Sequence, residues 1–366
     1  MPTALAAPQP HYDVHHIKFL NIAMNGLDQG VVMQMTQLSG GWEANEISAE
    51  NWNFNDVTDI EIANSQFYDG SYGSAIHFVV TTGNMWVHNN YIQNGITCID
   101  FAEGHNIVVE YNICNGATGN GFKFQPQRYT LDNLTVRGNL VYGTTNFPFI
   151  LYNARNSKIY NNTFAARNAD ASSYESASIG WTVSNPAYFS GLGTWGLESN
   201  VFQNNIFYGW VRVSTANNAK ITYKGGTEIR YTYGTSSIMQ NNDFKNNIFY
   251  SSFSTGRVRL VAQNSNAWVY YDAINCPSPG YCTVSDVTTG WIASLADFET
   301  KWNGTYPSIT NNIPNNPVFV NFAGNDYHVQ SSSPAINSGI PIPEWSADLD
   351  GNPVVGTPTI GAYQYP

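Results

Sequence analysis

Val87-His-Asn-Asn-Tyr-Ile92 and Val109-Glu-Tyr-Asn-Ile-Cys114 share one pattern: apolar, two residues, asparagine, one residue, apolar. It recurs as Ile62-Ala-Asn-Ser-Gln-Phe67, Val136-Arg-Gly-Asn-Leu-Val141, Ile159-Tyr-Asn-Asn-Thr-Phe164, Phe202-Gln-Asn-Asn-Ile-Phe207 and Phe244-Lys-Asn-Asn-Ile-Phe249. The fourth position is Asn90, Asn112, Asn139, Asn162, Asn205 or Asn247 in six of the seven copies, with Ser65 the exception. Successive copies are 25, 22, 27, 23, 43 and 42 residues apart, so the last two intervals carry long insertions.

Short strands with one apolar face, punctuated by turns at a period near 23 residues, cannot bury that face alone and must stack. A recurrent buried Asn then has a physical role. Its amide bonds the backbone at a turn and its equivalent one coil away, at the ~4.8 Å spacing of paired strands. Leucine-rich repeats would show a Leu-x-x-Leu-x-Leu signature, which is absent. Propeller blades would repeat at periods nearer 40 with hairpin turns. The reading is all-β: a right-handed parallel β-helix, a solenoid with an Asn ladder.

Composition agrees. In 366 residues only 11% are charged, 14% are aromatic, and the net charge is −11. Disordered chains and coiled coils need the opposite balance. No apolar run approaches the ~20 residues of a membrane span, and a pI near 4.9 argues against nucleic acid as partner. The expected partner is a polysaccharide, with neither membrane nor nucleic acid involved.

These coils resemble the right-handed parallel β-helix (pectin-lyase-like) superfamily. Asn316-Pro-Val-Phe-Val-Asn321, Asn325-Asp-Tyr-His-Val329, Ser333-Pro-Ala-Ile-Asn-Ser-Gly339, Asp348-Leu-Asp-Gly351 and Ile360-Gly-Ala-Tyr363 resemble the closing segment of many secreted bacterial β-helix proteins. Residues 1–366 then form a single domain, with regular coils over about 14–262 and a closing segment over about 285–366. Trp291 to Trp302 has helical apolar spacing and predicts a short helix near the carboxy terminus. The resemblance implies a carbohydrate-active protein. It fixes no activity, because members include lyases, glycosidases, epimerases, esterases and adhesins.

A second strand follows each ladder strand, in the form apolar, polar, apolar: Ile76-His77-Phe78, Ile99-Asp100-Phe101 and Phe122-Lys123-Phe124. The central residues are 23 apart, one coil per step, so His77, Asp100 and Lys123 stack on one outer face. Later triplets extend the row with Ile150, Gly180, Arg212 and Arg259. Two readings stand: a substrate cleft, or a solvated face on which Asp100 neutralises Lys123. On the first, Lys123 or His77 transfers a proton and Asp100 orients it or holds a cation. Arg128, Tyr152, Arg212 and Arg259 then bind substrate. Asp100 with Glu103 would be ligands for a possible Ca2+. Asp69, Tyr72 and His105 lie on neighbouring turns. His15, His16 and His88 have no metal-ligand spacing and read as surface residues, and Asp348-Leu-Asp-Gly351 as a turn.

The leading functional expectation is an extracellular lyase that cleaves a uronate-containing polysaccharide by β-elimination. A glycoside hydrolase using two carboxyl groups, Asp100 with Asp69 or Glu103, is the alternative. A non-catalytic carbohydrate-binding or adhesion β-helix is the third. Cys276 and Cys282, around a Pro-Ser-Pro-Gly turn, are expected to form a disulfide, whereas Cys98 and Cys114 read as small buried fillers. A disulfide implies secretion, although residues 1–8 lack the apolar region of a signal peptide. An upstream segment is therefore expected.

Overall fold

A computed structural model of the chain describes residues 14–26, 30–33, 57–70, 73–78, 82–102, 104–126, 131–167, 175–180, 197–214, 219–222, 228–231, 239–251, 258–261 and 308–366. Three parallel sheets run along one axis, and each coil contributes a strand to each sheet in turn. Sheet A holds Val14–Leu20, Val57–Ala63, Thr82–His88, His105–Glu110, Leu131–Arg137, Lys158–Tyr160, Val201–Gln203, Asp243–Lys245 and Ser308–Thr310. Sheet B runs from Ala23–Asn25 to Ile248–Tyr250, and sheet C from Val31–Met33 to Val258–Val261. The fold is the right-handed β-helix expected.

The ladder lies at the turn from sheet A to sheet B. Each amide donates to the next Oδ1: Asn90 to Asn112 at 2.9 Å, Asn112 to Asn139 at 3.1 Å, and Asn139 to Asn162 at 2.9 Å. Asn162 to Asn205 and Asn205 to Asn247 continue at 2.9 and 3.0 Å, and Asn312 closes the column at 3.0 Å. Ser65 begins it, donating its backbone N–H to Asn90 Oδ1 at 3.0 Å. The residue before each ladder position turns the chain with a positive φ, as at Asn89 (53°), Asn161 (53°), Asn204 (56°), Asn246 (51°) and Gly138 (61°). Asparagine tolerates that left-handed conformation better than other non-glycine residues. The Asn-Asn pairs are thus one turn residue followed by one ladder residue.

A shorter second ladder, not expected from the sequence, runs beside the first. Ser157 donates its backbone N–H to Asn200 Oδ1 at 3.0 Å, and Asn200 Nδ2 donates to Asn242 Oδ1 at 2.9 Å. Leu197-Glu-Ser-Asn-Val-Phe202 and Met239-Gln-Asn-Asn-Asp-Phe244 carry the same six-residue pattern, overlapped by the later copy on the same strand.

Phenylalanines stack inside. Ring centroids are 4.7 Å apart for Phe78–Phe101, 4.5 Å for Phe149–Phe164 and 4.4 Å for Phe202–Phe244. Cys98 and Cys114 are fully buried there, and the expectation that they are unpaired fillers is wrong: they form a disulfide with a Cα separation of 6.0 Å. It joins a sheet C strand to a sheet B strand across the interior, a proximity that two cysteines on separate strands do not announce. Cys276, Cys282 and the expected helix at Trp291–Trp302 lie outside the described residues.

The closing segment packs outside the coils. Phe319–Asn321 and Asp326–Val329 pair antiparallel around a 3-10 turn at Phe322–Gly324. They help cover the outer face of sheet B in a second apolar cluster containing Leu140, Tyr142, Ile206, Ile248, Phe319 and Tyr327. Asn161, Asn204 and Asn246 donate to the segment's carbonyls at Thr359, Ile340 and Ser338. Asp348 is buried, and its carboxylate accepts N–H groups from Asp350, Asn352 and Gln364. That set of protein donors makes it a turn, as expected. Among the described residues, no helix is long and apolar enough to cross a membrane.

Candidate active site on the outer face of sheet C

Sheet C places the expected row in register. His77 pairs with Asp100, Asp100 with Lys123, and Lys123 with Ile150. The next member is Ser178, not Gly180, which pairs with Tyr152. The inward partner of Phe149 is Ala177, too small to mark the apolar, polar, apolar triplet, so the sequence reading slid two residues along the strand. Ser178 then pairs with Arg212, and Arg212 with Arg259.

The alternation that buries Ile76, Phe78, Ile99, Phe101, Phe122 and Phe124 turns His77, Asp100 and Lys123 outward. Lys123 Nζ donates to Asp100 Oδ2 at 3.0 Å, and His77 Nε2 stands 3.7 Å from the same oxygen. The Asp100 side chain is only 8% exposed, against 24% for His77 and 26% for Lys123. Burial pushes the His77 pKa below the usual histidine value, and the Lys123 charge lowers it further while Asp100 opposes both. His77 is therefore neutral at pH 7, with an imidazole nitrogen able to accept a proton. Nearby, Tyr152 Oη and Ser178 Oγ share a hydrogen bond of 2.6 Å.

Other candidates separate from the row. Asp69 sits on an exposed turn after a sheet B strand, with its carboxylate accepting from Asn94 Nδ2 at 3.0 Å. His105 opens a sheet A strand, and its ring covers Gly83, where a Cβ would lie 2.5 Å from His105 Cε1. Tyr72, Glu103 and Arg128 lie outside the described residues. Of the two expected calcium ligands, Asp100 turns its Oδ2 to the Lys123 and His77 nitrogens, and Glu103 is the one outside the described residues. Among the described residues, no cluster of three His, Cys, Asp or Glu side chains suits a metal.

The outer face of sheet A carries a second set of polar groups not expected from the sequence. His88, expected at the surface, is buried, and its Nε2 meets Glu61 Oε1 at 3.2 Å. Lys18 holds the other Glu61 oxygen at 2.6 Å. Trp86 stacks on His88 with centroids 3.9 Å apart and donates Nε1–H to Glu110 Oε1 at 2.7 Å. Arg137 Nε donates to Glu110 Oε2, and its Nη1 donates to Tyr160 Oη at 2.8 Å and to the Glu344 carbonyl at 2.9 Å. Successive strands contribute these groups at one-coil intervals, the same signal that revealed the sheet C row.

The sequence matches no known family model and no curated protein.

Proposed function

We propose that the chain is a polysaccharide lyase acting on a uronate-containing chain, with the sheet C row as its cleft. The observation that carries this reading is the His77 imidazole, held neutral by burial, beside the Lys123 side chain that a nearly buried Asp100 anchors at 3.0 Å. β-Elimination requires a cation against the uronate carboxylate and a base for the proton on the adjacent carbon. Lys123 serves as the cation and His77 as the base. The C–H pair becomes the new carbon–carbon double bond, the glycosidic C–O bond breaks, and its electron pair leaves on the oxygen. That oxygen takes a proton from water or from His77. Asp100 anchors Lys123 at 3.0 Å and stands 3.7 Å from His77.

The hydrolase alternative needs a second carboxyl group within roughly 5–9.5 Å of the first; of the two expected partners of Asp100, Asp69 sits on a turn after a sheet B strand and Glu103 lies outside the described residues. The buried Cys98–Cys114 disulfide supports an oxidising, extracellular setting.

A screen on acidic and neutral polysaccharides tests the proposal. New ultraviolet-absorbing unsaturated ends on an acidic polymer are expected, and Lys123→Ala should lower their formation by about 10²-fold or more, the usual scale for a lost catalytic group. New reducing ends without that absorbance would establish a hydrolase instead. Retention without turnover would establish a binding protein.

A further inference from the structure

Among the described residues, Trp86 is the most exposed large aromatic side chain, at 43%. We infer that it is the platform of a second, non-catalytic carbohydrate site, which stacks the apolar face of a neutral pyranoside on sheet A. This inference does not rest on the lyase reading and concerns a different face of the coil.

The indole is locked before any ligand arrives. Its Nε1–H is bound to Glu110 and its ring lies on His88 at an interplanar angle of 24°. Both supports are themselves fixed: the Glu110 side chain is 5% exposed and held by Arg137, and His88 is held by Glu61. An immobilised side chain loses little rotamer freedom on binding. The network would join the coils to the closing segment without Trp86, since Arg137 bridges Glu110 and the Glu344 carbonyl directly. Trp86 adds to that network a pre-set, water-facing π surface.

The chemistry of the surroundings selects the ligand. The C–H groups on one face of a pyranose ring are weakly positive and suit the negative face of an indole. Hydroxyl groups find a polar track beside it. Asn84, two residues before Trp86, donates to Asp59 at 3.0 Å; Asn106 donates to Asn84 at 3.2 Å, and Asn133 to Asn106 at 2.8 Å. These side chains are exposed, and the track crosses four coils along the axis. The cations of this network are already paired, Lys18 with Glu61 and Arg137 with Glu110. A uronate would have to displace one of those carboxylates, whereas a neutral sugar need not, so the site takes a neutral sugar.

Calorimetric titration of the full chain with cellohexaose, xylohexaose, mannohexaose and laminarihexaose tests this, with an oligogalacturonate as the anionic control. At least one neutral hexasaccharide should bind. Trp86→Ala should weaken that binding tenfold or more, Trp86→Tyr should retain much of it, and Lys123→Ala should leave it unchanged. Binding to none of the four, or binding that survives Trp86→Ala, overturns the site. So does an oligogalacturonate preference that Trp86→Ala abolishes. Should Trp86→Ala fail to fold, intermolecular nuclear Overhauser contacts between sugar and the Trp86 indole in the unaltered chain decide the matter, and their absence overturns the site. Unsaturated-end formation reads the sheet C row separately, so either proposal can fail alone.

Discussion

His77 owes its lowered pKa first to burial, then to the ammonium of Lys123, with Asp100 pulling the other way. As a base it works only when neutral, so activity should fall as the pH drops through a pKa below 6.5. Removing Asp100 removes the one contribution that raises this pKa. In Asp100→Asn, a nuclear magnetic resonance titration of His77 should therefore show a midpoint lower than in the unaltered chain. Turnover should fall as well, because Lys123 loses its partner. The effect on stability has a definite sign. Between the folded-state pKa and the unfolded value near 6.5, the unfolded chain binds more protons, so this group's contribution is lost as pH falls through that window. The row was legible at His77, Asp100 and Lys123 because large apolar residues flank each one. It was misread at Ser178, where Ala177 gives no such flank. The sheet A groups escaped because Trp86, His88 and Glu110 belong to the ladder-bearing strand, whose asparagine pattern absorbed the reading.

At the scale of the element, the asparagine ladder is a column of amides, each completing its neighbours' hydrogen bonds. Asn139 Nδ2 donates to Asn162 Oδ1 and to the carbonyls of Val109 and Arg137, while its Oδ1 accepts from Asn112. Asn139→Leu leaves these groups unpaired and should cost about 1–3 kcal/mol in denaturant unfolding, the range for stranded buried polar groups. Asn200→Leu should behave similarly, since the second ladder has the same chemistry. The Cys98–Cys114 link encloses a sequence separation of 16 residues, for which loop closure predicts a loss of about 3 kcal/mol in the doubly substituted Cys98→Ala, Cys114→Ala chain. Both sulfurs are buried, so alkylation after reductant treatment should proceed only once the coils open, a result mass spectrometry would register. Sequence revealed the ladder because its period is fixed. The disulfide was hidden because the distance between sheets B and C appears only when the coil closes.

For the whole molecule, the closing segment joins distant parts of the chain. Its own fastening includes His328, whose Nδ1 meets Asp326 at 2.7 Å and whose Nε2 meets Asp350 at 2.8 Å, with Tyr363 against the ring at 4.0 Å. Burial would lower the His328 pKa, but the hydrogen bonds to Asp350 and Asp326 outweigh it and raise the value overall. The folded chain then holds this proton more tightly than the unfolded one. The resulting stabilisation is complete below about pH 6.5 and is lost as pH rises through the folded-state pKa. His328→Gln should flatten that part of a melting-temperature profile, leaving the opposite, acidic dependence of His77 in place. Removing residues 316–366 should bare Leu140, Tyr142, Ile206 and Ile248 and produce binding of a hydrophobic dye, followed by self-association.

The closing segment also orders events during synthesis. Tyr111 donates to the Ala347 carbonyl across 236 residues, Arg137 reaches Glu344 across 207, and Asn161 reaches Thr359 across 198. A ribosome adds roughly 5–20 residues per second, so the early coils spend about ten seconds or longer in the cell with that flank uncovered. Each strand added to sheet B lengthens an apolar strip whose cover in the closing segment has not yet been made. The interval between the emergence of Tyr111 and of Ala347 is thus one in which that strip is open to association with other chains, and slower translation prolongs it.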